Sequence, residues 1–138
     1  MALITPNFNF AGQCEEAIQL YVRAFGASVG NLMRYDEATW DEQYAQWTET
    51  QKRMVYHAEV FIGEQRMMMA DHNDLAFEPG ISLSLVVTLD SKEDVLRAFD
   101  LLSVGGKVIY PPHSMPYSTC TTNVIDRFGF CWCVMTEN

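Results

Sequence analysis

The segment Met54–Asp71, MVYHAEVFIGEQRMMMAD, reads as two strands meeting at a two-residue turn. Side chains alternate along a strand, so Val55, His57, Glu59 and Phe61 are expected on one face and Tyr56, Ala58, Val60 and Ile62 on the other. Gly63-Glu64 supplies the turn, because a hairpin of the II′ type requires a glycine at its first central position. The second arm, Arg66–Ala70, is rich in methionine. A histidine and a carboxylate thus stand on one side of a sheet among soft, apolar neighbours. That arrangement suits a small-molecule pocket, and it suits equally a core containing one satisfied histidine.

Upstream, Leu3–Phe10 reads as a strand with Phe8 and Phe10 on one face and Asn7 and Asn9 on the other; Pro6 places it at an edge or an unpaired position. From Cys14 the period changes. Cys14, Ala17, Ile18, Tyr21 and Phe25 recur at steps of three and four, which predicts an amphipathic helix stopped by Gly26. Ser28–Tyr35 returns to extended structure. In the polar and aromatic stretch Asp36–Arg53, Thr39 followed by Glu42 resembles a capping box opening a short helix with Trp40, Tyr44 and Trp47 on one face. Such a helix is a surface element pinned by its tryptophans, a dimer contact, or a lid carrying aromatic contacts to a ligand.

Downstream, His72–Gly80 reads as a loop with Pro79-Gly80 as its breaker, and Ile81–Leu89 as a strand. Asp90-Ser91 caps a second helix whose buried stripe is Val95, Ala98, Phe99 and Leu102, and Gly105-Gly106 ends it. A short strand Lys107–Tyr110, a loop Pro111–Ser118 and strands Thr119–Ile125 and Phe130–Met135 follow, the last two joined by the turn Asp126-Arg127-Phe128-Gly129. Each half is therefore βαβββ, repeating after about 70 residues, with modules at about 1–75 and about 76–138 of a single domain covering 1–138. The fold class expected is α+β, two βαβββ modules forming a concave, barrel-like mixed sheet. A surface of that kind has a cleft where its halves meet, the usual place for a small ligand.

With 138 residues, 49% of them hydrophobic, the chain is long enough to bury one real core. No run reaches the roughly 18 to 20 apolar residues that span a bilayer, and MALITPNFNF lacks the basic start and apolar centre of a signal peptide, so a cytoplasmic location away from the membrane is the expectation. The formal net charge of −9 opposes nucleic-acid binding, which needs a basic surface to neutralise phosphates. The acidic pairs Asp36-Glu37 and Asp41-Glu42 read as solvated positions. Of four cysteines, Cys131 and Cys133 point the same way on one strand and cannot bridge each other there; free thiols are expected. No CxxC pair or His-x3-His spacing marks a structural zinc site.

The order of these pieces resembles the vicinal oxygen chelate superfamily of glyoxalase I, bleomycin-resistance proteins and extradiol dioxygenases, and in particular its PhnB-like branch. The residues that carry the resemblance are Gly12-Gln13-Cys14-Glu15-Glu16-Ala17 with Tyr21 and Phe25-Gly26, His57-Ala58-Glu59 before Ile62-Gly63, and Met68-Met69-Ala70-Asp71. Ser82-Leu83-Ser84-Leu85 ahead of Asp90, Gly105-Gly106-Lys107-Val108, and Asp126-Arg127-Phe128-Gly129 before Trp132 complete it, so it spans nearly the whole chain. Enzymes of the superfamily hold a divalent metal with His and Glu side chains from the first and late strands of each half. The resemblance carries those positions to Pro6 or Asn7, to a residue within Met67–Met69, to Ser84 and to Cys133. Only Cys133 is a competent donor, so no metal or other cofactor is expected at the inherited positions. A different site built from His57, Cys133 and Glu59 is the remaining route to a metal.

Three functional readings follow. The first is a metal-free small-molecule binding module, with Asn7, Met67, Met69, Ser84, Trp132 and Cys133 as ligand contacts and the methionines and phenylalanines as an adaptable lining. The second is an enzyme of lyase, isomerase or hydrolase type with His57 as general acid or base and Glu59 orienting it or raising its pKa. The third is a reactive thiol at Cys131 or Cys133, which lacks any basic neighbour in sequence. His72 and His113 fall in loops and are expected to be solvated. PhnB-like proteins are often described as 3-demethylubiquinone methyltransferases or as DNA-binding; the sequence has no strand, glycine-rich loop and helix of the kind that usually holds S-adenosylmethionine. The resemblance implies a homodimer whose cavities the neighbouring copy completes.

Overall fold

The computed structural model describes residues 1–78 and 80–138; the breaker read at Pro79 lies outside them. The chain divides into two compact units, Met1–Val22 with Gly26–Phe77, and Arg23–Phe25 with Glu78–Asn138. Each unit holds one four-stranded mixed sheet.

The first unit holds α1 (Cys14–Phe25) up to Val22, and its strands β1 (Asn7–Phe10), β2 (Ser28–Arg34), β3 (Val55–Ile62) and β4 (Gln65–Asp71) give a sheet of order β1-β4-β3-β2, in which β1 runs parallel to β4 and the other pairs are antiparallel. The β3–β4 hairpin closes as its sequence requires. Ile62 pairs with Gln65, Gly63 has φ +58°, and among the described residues none other than glycine has positive φ, which fits a II′ turn and excludes I′. The register then fixes the faces. Phe8 and Ala58 flank Met69, and Val60 faces Met67; all five are buried, and the Phe8 ring meets Tyr21 of α1 at 6.0 Å. Asn7, Asn9, Glu59, Phe61, Arg66 and Met68 point to the other side.

One expectation fails in β3. Val55 was grouped with His57, yet it is fully buried while His57 is half-exposed. Met33 pairs with His57 but its neighbour Arg34 pairs with Val55, so Tyr56 is an extra residue that breaks the alternation. The Val55 N–H turns to the Asp71 carboxylate, Oδ2 at 3.0 Å. The other oxygen, Oδ1, accepts the N–H groups of Gly12 at 2.8 Å and Cys14 at 3.0 Å. Asp71 thereby caps α1 from the end of β4, which explains how that helix starts although Gln13 contributes no side-chain cap. At its far end the Gly26 N–H returns to the Val22 carbonyl.

The segment Asp36–Arg53 also departs from expectation. Thr39 opens no helix; the chain makes two 3-10 turns, Tyr35–Glu37 and Tyr44–Gln46, and then α2 (Glu49–Lys52). The capping box belongs to Thr48 and Gln51: Thr48 Oγ1 accepts the Gln51 N–H and Gln51 Oε1 accepts the Thr48 N–H. Both pairs show the same spacing, and only the second precedes a turn that becomes helical.

In the second unit β5 (Leu85–Leu89), α3 (Lys92–Leu102), β6 (Lys107–Met115), β7 (Ser118–Ile125) and β8 (Cys131–Thr136) form a sheet of order β5-β8-β7-β6, again with its first pair parallel. Ser91 caps α3 by accepting the Asp94 N–H. Gly106 follows the helix because a Cβ there would lie 2.2 Å from the Ile125 carbonyl oxygen. Two strand boundaries shift by more than one residue. β5 begins at Leu85, so Ile81–Ser84 lie outside it, and β6 continues through Pro111 and Pro112 to Met115. Those prolines are tolerated because β6 is an edge strand whose pairing with β7 is interrupted around them. At the β7–β8 turn Asp126 accepts the N–H groups of Phe128 and Phe130 on Oδ1 and the Trp132 indole N–H on Oδ2, at 3.0, 3.1 and 2.8 Å. Among the described residues no helix is long and apolar enough to cross a membrane.

Candidate functional site

The helix-free face of the first sheet gathers the polar side chains of the central hairpin. Asn7, Met68 and Glu59 form a row across β1, β4 and β3, and Met33 sits opposite His57. Arg66 is diagonal to Glu59, and its Nε donates to Glu59 Oε2 at 2.6 Å. Asn31 of β2 donates from Nδ2 to Glu59 Oε1 at 2.9 Å. The hydrogen bond and charge of Arg66 hold the Glu59 carboxyl below its ordinary range. Each oxygen of Glu59 thus accepts one of these hydrogen bonds, and none joins the carboxylate to His57 among the described residues. Among the described residues the His57 imidazole has no hydrogen-bond partner.

Met67 and Met69 lie elsewhere. They are 2% and 0% exposed, on the face of the sheet that Phe8 shares, and of the three hairpin methionines only Met68 lies on the polar face. In the second unit Trp132 is fully buried with its N–H on Asp126, and its ring lies 4.9 Å from Phe25. Cys133 stands on the opposite face of β8, between Val86 and Asn123, with Sγ 3.8 Å from Thr121 Oγ1. Ser84 is exposed just ahead of β5. Thus Asn7, His57 and Glu59 share a face of one sheet, whereas Met67, Met69 and Trp132 belong to cores.

Three of the cysteines are held toward the protonated thiol. Burial raises the thiol pKa of Cys14 and Cys120, and burial with Cys133 and Asp126 nearby raises that of Cys131. The loop histidines are less free than their sequence positions suggest: His72 Nε2 lies 2.9 Å from Asn9 Oδ1, and His113 Nδ1 lies 2.7 Å from the Pro111 carbonyl on β6.

The divalent metal of the superfamily does not fit these residues. Pro6, Asn7 and Ser84 offer no anionic or imidazole donor, and Met67 and Met69 are buried. Among the described residues no three His, Cys, Asp or Glu side chains are grouped so as to hold a metal ion.

The family model described as 3-demethylubiquinone-9 3-methyltransferase matches residues 2–135. The chain belongs to this PhnB-like family. The PhnB-like chain is 26% identical to protein YjdN of Escherichia coli K12, over 95% of its own length and 92% of the relative's. It superposes on PA1353 from Pseudomonas aeruginosa with a TM-score of 0.81 at 25% identity, covering 99% and 98% of the two chains. For the PhnB protein from Bacillus cereus the values are 0.77 and 26%, covering 98% and 99%. A glyoxylase/bleomycin resistance/dioxygenase domain from Frankia, 11% identical with a TM-score of 0.67 and covering 100% and 98% of the chains, shares the fold.

Two features of the site went unread in the sequence. The Arg66–Glu59 pair was accessible, since a two-residue turn at Gly63-Glu64 places the two diagonally on one face. Asn31 was not, because its register on β2 depends on irregular pairing.

Proposed function

We propose that this PhnB-like protein is a cytoplasmic, homodimeric small-molecule binding protein that works without a metal, with its ligand against the polar face of the first sheet. The observation that carries the reading is His57, a half-buried imidazole without an internal partner, beside an Arg66–Glu59–Asn31 network that is already internally satisfied. An imidazole so placed can donate to or accept from a ligand, while Met33, Met68 and Phe61 supply adaptable apolar contact. Acid–base catalysis by a His57–Glu59 pair is the weaker alternative, because Arg66 and Asn31 occupy the carboxylate.

Methyl transfer of the usual kind would seat S-adenosylmethionine at a helix that follows a strand through a glycine. The segment from β1 through Gly12 to α1 has that order, but Asp71 takes the Gly12 and Cys14 N–H groups such a ligand would need. The binding reading is tested by screening a metabolite library for thermal stabilisation of the wild-type protein and of His57→Ala. The expected result is at least one compound that stabilises the wild type and loses at least about tenfold in affinity, roughly 1.4 kcal/mol, on the variant. Hits that bind both proteins equally would refute the placement at His57.

A further inference from the structure

On the helix-free face of the first sheet the charges cancel, and unused hydrogen-bonding groups gather around Ala70. Among the described residues, the charged side chains that its strands turn to this face are Glu59 and Arg66, joined at 2.6 Å. Asn9 Oδ1 lies 2.9 Å from His72 Nε2. An amide oxygen only accepts, so that imidazole nitrogen donates and the Asn9 NH2 group is left over, with no acceptor among the described residues. The His57 ring is likewise without a partner there. Among the described buried and half-buried side chains, Asn73 Oδ1 is the only partnerless N or O atom sealed from solvent, so Asn9 Nδ2 and the His57 nitrogens are open to a ligand.

The two groups face each other across Ala70. Asn9 pairs with Ala70 from β1, and one step of the β3–β4 register beyond Ala58 and Met69 sets His57 against Ala70 from β3. Neighbouring strands lie about 4.8 Å apart, so the Cα atoms of Asn9 and His57 stand about 9.6 Å apart with only the half-exposed Ala70 methyl between them. Met68 lies two residues along β4 on the same face, and Met33 stands opposite His57 on β2; both are half-buried and adaptable. The gap above Ala70 is thus walled by an amide donor and an imidazole, beside apolar surface and away from any uncompensated carboxylate.

Building on the reading of this face as the ligand site, we infer that its ligand is a carboxylate with an apolar body. One carboxylate oxygen accepts from Asn9 Nδ2 and the other from the His57 N–H, above Ala70, while the body lies on Met68 and Met33. Hydrogen bonds to an ionised acceptor are the stronger kind, so the charge adds to both. A cation of the same shape meets an NH2 group that can only donate, and Glu59, the one carboxylate on this face among the described residues, is already neutralised by Arg66.

The test is an NMR titration of the full chain with phenylacetate and, separately, 2-phenylethylammonium, following the Asn9 side-chain NH2 and His57 ring signals. Salt at about 0.15 M screens the net charge of −9 beyond about 8 Å. Phenylacetate is expected to saturate and to shift both sets of signals, with the ammonium at least tenfold weaker. Asn9→Asp keeps the acceptor for His72 and removes the donor; Ala70→Val sets two methyl groups in the gap at a half-exposed strand position that suits a branched side chain. Each should weaken phenylacetate at least tenfold in protein that still melts cooperatively. Absence of saturable phenylacetate binding, equal binding of the ammonium, or full affinity in either variant would overturn the assignment. Should Ala70→Val not fold, the two-probe comparison and Asn9→Asp decide by themselves. The inference and the reading beneath it fail separately: a His57-dependent metabolite without a carboxylate overturns the inference alone, whereas hits indifferent to His57, with its ring signals unmoved by phenylacetate, overturn both.

Discussion

Asp71 is the residue on which the first unit turns. A single carboxylate accepts three backbone N–H groups, from the loop before α1, from α1 itself and from the start of β3. Asp71→Ala would leave these donors buried without partners, each costing about 1–3 kcal/mol, so a loss of more than about 3 kcal/mol is expected in urea unfolding. Tyr35 lies beside it, donating its hydroxyl to the Asp71 carbonyl at 2.6 Å. Burial first, and then the Asp71 charge, push the Tyr35 phenol up to about 12. A pKa raised in the folded state contributes stability that is intact below the unfolded value of about 10 and is lost as pH rises through the folded one. Unfolding free energy should therefore fall between pH 10 and about 12, and Tyr35→Phe should flatten that fall. Glu59 behaves in the opposite sense. Its carboxyl is held low by Arg66, so the stability it contributes is present above the unfolded value and lost as pH falls through the folded one. In Arg66→Met the Glu59 carboxyl should titrate at higher pH by NMR; an unmoved titration would mean that the ion pair does not hold it.

At the level of elements, the turns decided most. Gly106 allows the end of α3 to approach β7, and Gly106→Ala would drive a Cβ to 2.2 Å from the Ile125 carbonyl, which cannot retreat without breaking the sheet edge. A loss on the order of 3 kcal/mol is expected from the melting curve; a melt like that of the wild type would mean that α3 and β7 separate easily. The βαβββ order was legible because its signals are local: alternation in β3, the 3.6 period of α1, and a glycine after each helix. Boundaries were lost where a tertiary partner overrides local preference. β6 runs through two prolines because it is an edge, and Val55 leaves its expected face because Asp71 draws its N–H inward. Likewise, nothing local separates Thr39-x-x-Glu42 from Thr48-x-x-Gln51; the helix forms at the second. Within the candidate site, Asn7, His57 and Glu59 were readable from alternation. Met67 and Met69 were misplaced as lining because α1 claims their face, a fact fixed by Phe8 and Tyr21 rather than by the methionines.

For the molecule as a whole, the same βαβββ order occurs in both units, while the polar equipment differs between them. The first sheet presents His57 with Glu59, Arg66 and Asn31; on the second, Cys133 stands between Val86 and Asn123. At the positions to which the resemblance carries metal donors stand Pro6 or Asn7, Met67–Met69, Ser84 and Cys133, a set that does not fit a Lewis-acid metal. The most direct measurement is native mass spectrometry of the purified, dialysed protein combined with elemental analysis. The account predicts a dimer without stoichiometric metal that carries, or takes up from cell extract, an organic ligand whose retention depends on His57. A divalent ion bound at one per chain and surviving dialysis would contradict it.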